Sequence, residues 1–154
     1  MFKYMAYLLL AAAVAVPAAL AHSDKKNGLE IVHPWTFATS DAGGTIRVFM
    51  KIKNVTGAPE RLVGASTATA VTTELQEPAA DGASAPGKPL AAVVVSPGKD
   101  AELTRDGPHL LLTGVKKRLN AYDSFKLTLV FEKAGRVVVN VMVEEAETEE
   151  PHKH

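Results

Sequence analysis

Apolar residues recurring at every second position are the feature that most constrains this chain. Ile46, Val48, Met50 and Ile52 share one phase, while Arg47, Lys51 and Lys53 take the other, with Phe49 as the exception. Phe125, Leu127, Leu129 and Phe131 repeat the pattern against Lys126, Thr128 and Val130, and Val137, Val139, Val141 and Val143 repeat it again. Successive side chains of a strand point to opposite faces, so this alternation specifies strands that bury one side. Shorter β-like runs cover Leu29–Val32, Arg61–Ala65, Ala70–Leu75, Leu90–Val95, Ala101–Thr104 and His109–Thr113. Turn-forming Gly, Pro and Asp residues stand at Asp41–Gly44, Gly57–Pro59, Ser96–Gly98, Asp106–Pro108 and Ala134–Gly135. No window carries a helical apolar stripe. The expectation is all-β, a sandwich or barrel, with the choice between meander and Greek key left open by periodicity.

The two ends read differently from the middle. Met1–Ala21 has a single charge at Lys3, an apolar Leu/Ala run, a break at Pro17 and the small-residue pattern Ala19-Leu20-Ala21. That is the anatomy of a secretory signal peptide cleaved after Ala21. The apolar run from Met5 to Val16 is shorter than the roughly 20 residues a bilayer core needs. Residues 22–28 read as a flexible lead-in, 29–143 as the β domain, and 144–154 as a tail with five Glu, His152 and His154. Glu77–Pro89, rich in Pro, Ala and Gly, reads as a loop. The cleaved product is expected to be exported, with no second segment of membrane-spanning length.

Charge and cysteine content narrow the function classes. Lys+Arg and Asp+Glu are both 17, and loss of Lys3 leaves 16 basic against 17 acidic residues. A nucleic-acid binder needs a basic excess, so that class is set aside. Cysteine is absent, which excludes disulfides, thiolate zinc sites, iron–sulfur clusters and cysteine nucleophiles. No nucleophile elbow, phosphate-binding Gly-rich loop or His-Glu-x-x-His helix is present, and the expectation is that the protein is not an enzyme. Asn54-Val55-Thr56 matches a glycosylation acceptor but, ahead of Gly57–Pro59, reads better as a turn.

Several separated segments then follow one another in a characteristic order: Glu30–Trp35 (EIVHPW), Glu60–Ala65 (ERLVGA), Thr73–Leu75, Asp106–His109 (DGPH) and Leu127–Gly135. Together they resemble the periplasmic copper chaperone family PCu(A)C over about Leu29–Val143. The resemblance implies a cupredoxin-like Greek-key β-sandwich or barrel, a periplasmic location and one exposed copper site. It also implies partners such as a copper-assembly protein or a cuproenzyme apo-subunit, with Cu(I) delivered for the dinuclear centre of cytochrome oxidase. The family site has two His and two Met, soft and borderline donors that suit copper. Carried onto this chain, those positions fall at Gln76, Gly87, His109 and Leu111, so three of the four family ligands are replaced and His109 alone persists.

Other metal-binding candidates are His22, which signal cleavage would make the N-terminal residue, and the alternating pair His152 and His154. An amine and ring nitrogen on His22 would chelate Cu(II) as half of a brace if His33 or His109 lay near. His33 in His33-Pro34-Trp35 reads as structural, with Trp35 expected in the core, and Met50 reads as core by its phase. Three readings follow. The first is a copper-chaperone-like protein with a degenerate site, the second a metal-free partner-binding module of the same fold, and the third a copper enzyme using a His22 brace.

Overall fold

A computed structural model describes residues 23–79 and 87–146; the signal segment, residues 80–86 and the end of the tail lie outside the described residues. The described chain is all β, with eleven strands. They are β1 (Ser23–Lys26), β2 (Leu29–Phe37), β3 (Thr45–Asn54), β4 (Glu60–Ser66), β5 (Thr72–Glu77) and β6 (Lys88–Pro89). After these come β7 (Val93–Val95), β8 (Ala101–Leu103), β9 (His109–Thr113), β10 (Ser124–Phe131) and β11 (Gly135–Glu144). The order across the sheet is β6-β5-β9-β3-β2-β11-β10-β4-β7, with β1 added to β2 and β8 to β3. Every pairing is antiparallel except β11 with β2. Most neighbours are distant in sequence, as in a Greek-key arrangement rather than a meander.

The alternating residues form the core. Ile46, Val48, Met50 and Ile52 of β3, Phe125 to Phe131 of β10 and Val137 to Val143 of β11 all turn their apolar phase inward. β3 links two parts of the sheet, because Thr45–Val48 pair with β9 and Met50–Ile52 pair with β8. Phe49 stands at that junction, out of phase with the core yet buried, because Trp35 covers it at 4.9 Å between ring centroids.

Two sequence expectations change here. Trp35 is only half-buried and lies outside the core, on the outer face with Phe37 and Phe49. The cause is a one-residue bulge: Val32 pairs with Lys51, but Trp35 pairs with Phe49. His33 takes up the irregularity with φ of 49°. A single extra residue exchanges the two faces of a strand, so Leu29 and Ile31 point inward before the bulge and Thr36 points inward after it. The segment 22–28, expected as a flexible lead-in, contains β1, joined to β2 through Asn27-Gly28 with φ of 51° and 77°. These positive angles make the two-residue type I′ turn that Asn-Gly favours. At Gly28 a side chain is excluded twice over, since a Cβ would also run into the Thr56 methyl group.

Within Glu77–Pro89, expected as one loop, Lys88 and Pro89 pair with Glu77 and Gln76 as the edge strand β6. This returning edge brings Gly87 back beside β5, which matters for the site.

Candidate functional site

The strands β5, β9 and β3 lie side by side, and their register sets which side chains meet. Gln76 stands opposite His109, while Glu74 stands opposite Leu111, which in turn stands opposite Arg47. Alternate residues of a strand share a face, so Glu74, Gln76, His109, Leu111 and Arg47 project to the side away from Leu75, Leu110 and Val48 of the core. Gly87 lies against the same edge: a Cβ built on it would come within 3.2 Å of Gln76 Oε1. The four positions to which the family ligands were carried thus lie together at one edge of the sheet.

The polar groups there are held as follows. Gln76 is 5 % exposed, and its Nε2 donates to Glu74 Oε2 at 2.9 Å. His109 is 3 % exposed, and its Nδ1 lies 3.0 Å from the Gly107 carbonyl oxygen. A carbonyl only accepts, so Nδ1 is the nitrogen that carries a proton in this contact. This contact, from the turn just before β9, fixes the ring as a metal-binding histidine is often fixed.

Copper does not fit this group as a four-ligand site. Gln76 offers a weak neutral amide already engaged with Glu74, Leu111 offers no donor, and Gly87 has no side chain. The backbone itself bars a longer residue at 87, because its Cβ would overlap the Glu77 carbonyl oxygen. Among the described residues, no three His, Asp or Glu side chains gather closely enough to hold a metal ion.

The remaining candidates are scattered or undescribed. His33 is away from this edge, on the bulge of β2, with Nε2 2.8 Å from Glu144 Oε1 and its ring stacked on Trp35 at 6.2 Å. Met50 is in the core, as its phase predicted, and Met142 stands on β11 opposite Trp35. His22, His152 and His154 lie outside the described residues. Sequence reasoning passed over Arg47, Glu74, Phe37 and Arg105, which flank the site. The available signal was slight, since Arg47 reads in sequence as one more cation of the polar phase of β3, with Lys51 and Lys53.

Solved structures with the same fold include PCuAC domains. The apo PCuAC domain from PmoF1 shares 27% identity over 80% of this chain and 99% of that one, with a TM-score of 0.70. The copper-bound PCuAC domain from PmoF2 shares 26% over 80% and 98%, with a TM-score of 0.69. The solution structure of CuI-DR1885 from Deinococcus radiodurans, at 23% identity over 82% and 83% with a TM-score of 0.60, matches in fold alone. No curated protein sequence matches the chain. The sequence pattern of the LpqE-like family, described as lipoproteins of that type, matches residues 29–143, which take in β2 to β10 and all of β11 but its last residue, Glu144. With the strand order, the PCuAC neighbours and this match in agreement, the chain belongs to the LpqE-like family and has the cupredoxin-like fold of copper-chaperone PCuAC domains.

Proposed function

We propose that this protein is exported and works in the assembly of copper proteins, as a partner-binding member of the copper-chaperone fold rather than as an autonomous copper carrier. Its Gln76–His109 face is the contact surface. The partner is a copper-assembly protein or the apo-subunit of a cuproenzyme, cytochrome oxidase being the one to which the resemblance points. The observation that carries this reading is the composition of the converged positions: one imidazole, one engaged amide, one leucine and one glycine against a carbonyl. A lone histidine does not make a tight copper site. Export is supported by the Met1–Ala21 segment and by the family's description as lipoproteins, and a periplasmic location by that segment together with the resemblance to the periplasmic copper chaperones.

The decisive experiment is titration of the full chain with Cu(I) against a competing chelator, alongside His109→Ala, Gln76→His and the double variant Gln76→His/Leu111→Met. The expected result is no stoichiometric tight binding by the parent and no change on His109→Ala. The double variant should gain binding, since it restores a histidine and a thioether beside His109 while leaving the blocked position 87 untouched.

A second reading is copper delivery by this chain itself, which the copper-bound PmoF2 domain favours at 26% identity. Tight one-to-one binding by the parent that disappears in His109→Ala would establish it and remove the first.

A further inference from the structure

Next to the converged positions, on the same face of β3, lies a pocket of about 480 Å³ that the copper reading leaves unused. Its walls include Phe37, Phe49, Thr45, Arg47 and Arg105, with Asp41 among the lining residues. The β2 bulge creates it, because only the exchanged phase brings Phe37 to the outer side, where Trp35 meets it edge-on at 4.9 Å. Arg105, from the turn between β8 and β9, places its guanidinium 5.6 Å from the centre of the Phe37 ring. Arg47 is rooted in the middle of β3, beside Leu111, and is half-buried. Among the described residues, no carboxylate lies within ion-pairing distance of Arg47.

The charged groups lining this pocket are two guanidiniums and one carboxylate, and Asp41 Oδ2 already accepts a hydrogen bond from the Ser40 hydroxyl at 3.0 Å. A guanidinium presents a planar fork of donors that matches the two oxygens of a carboxylate. Aromatic walls favour a flat or apolar body, and the volume falls within the roughly 300–1,000 Å³ of small-molecule sites. Asp41 disfavours a doubly charged phosphate more than a singly charged carboxylate.

From this arrangement we infer that the pocket is a binding site for an organic carboxylate with a ring-sized apolar body, its carboxylate on Arg47 and its body against Phe37 and Phe49. The site stands whether or not copper is handled at His109, so copper titration and the test below can fail separately. The carboxylate has two sources of the same chemistry, a free small acid or the C-terminal carboxylate of an aromatic-ended peptide.

The test is titration of the isotope-labelled full chain with 3-phenylpropionate, followed by amide NMR shifts. Saturable shifts at Thr45, Arg47, Phe49 and Arg105, with a dissociation constant of about 1 mM or below, are the expected result. In Arg47→Gln the affinity should fall about tenfold or more, and Arg47→Lys should fall between the two, since it keeps the charge and loses the fork. An unchanged spectrum elsewhere shows that each variant is folded. Glycyl-phenylalanine binding more tightly than 3-phenylpropionate, and its C-terminal amide not binding, would assign the site to a peptide end. Binding of 3-phenylpropionate alone would assign it to a small acid. Equal binding of 3-phenylpropanol, preference for inorganic phosphate, absence of saturable shifts, or an Arg47→Gln affinity within about twofold of the parent would each overturn the inference.

Discussion

Among the described residues, two of the places that bury polar side chains do so in opposite ways. At the corner between β3 and β4, Asn54 donates to the carbonyls of Ala58 at 2.8 Å and Val95 at 2.9 Å, and accepts from the Thr56 N–H at 2.9 Å. Glu60 accepts from the backbone N–H groups of Arg61 at 2.8 Å, Lys133 at 3.0 Å and Ala134 at 2.9 Å. At the β5–β9 edge, Gln76 is bonded to the side chain of exposed Glu74, and His109 meets a single carbonyl. The corner is tied to main chain, which cannot change partners without unfolding. The edge is tied more lightly: Gln76 to an exposed carboxylate that water can satisfy in its place, and His109 to one carbonyl of the turn before β9. Buried polar residues therefore mark structure in one place and a contact surface in the other.

The largest effect should come from Asn54→Ala. It strands the buried Val95 carbonyl, at a cost of about 1–3 kcal/mol before local relaxation, and removes two further hydrogen bonds, to the Ala58 carbonyl and from the Thr56 N–H, at exposed residues, each worth about 1 kcal/mol. A loss of about 3 kcal/mol, read as a lower urea midpoint at unchanged slope, is expected. A loss below about 1 kcal/mol would mean that water reaches the corner and that the contrast with the edge is false. The same geometry disposes of Asn54 as a glycan acceptor, since it is 3 % exposed and fully engaged.

Glu60→Gln comes next. Burial alone opposes ionisation of Glu60, but the three backbone donors and the Lys133 charge outweigh it and hold its pKa below the ordinary carboxylate range. A lowered folded pKa means that the stabilisation is complete above the unfolded pKa, near 4.3 for a glutamate, and is lost as pH falls through the folded value. The variant should lose about 2 kcal/mol at neutral pH, because an amide keeps one acceptor and sets its NH₂ against backbone N–H groups. Its stability should also fall less steeply than the parent's below about pH 4. Parallel acid curves for the two proteins would show that Glu60 is not what ties β4 to the β10–β11 turn.

How far the sequence foretells each region follows from the range of the interactions. The strands of the core were legible because alternation is local, and His109 was legible because a short Asp-Gly-Pro-His segment carries the resemblance. The Asn27-Gly28 hairpin was also written locally, in the residue pair that best tolerates two positive φ angles. The outward placement of Trp35 was not, because the bulge at His33 becomes visible only when β2 is set against β3. The opposition of Gln76 and His109 likewise depends on pairing strands that have three short strands, β6, β7 and β8, between them in sequence. The pocket beside them inherits both non-local features, the bulge and the pairing, and so left only Arg47 as a trace in the sequence.

The smallest effect, Gln76→Leu, is the one that most sharpens the contrast. The new side chain is similar in size and removes the donor, and Glu74, being exposed, regains a water in place of the lost amide. Replacing a polar group whose partner can be resolvated leaves nothing buried and unpaired, so the expected change is within about 0.5 kcal/mol. The comparison is direct: Gln76 and Asn54 carry the same functional group and are nearly equally buried, at 5 % and 3 % exposure. Urea unfolding of the two variants side by side should therefore separate them by about 2 kcal/mol or more. If Gln76→Leu instead costs as much as Asn54→Ala, the amide is a structural tie, and the β5–β9 edge loses its claim to be an exchangeable surface. If it costs nothing yet abolishes capture of the copper-assembly partner, stability and recognition are carried by different buried amides of one small fold.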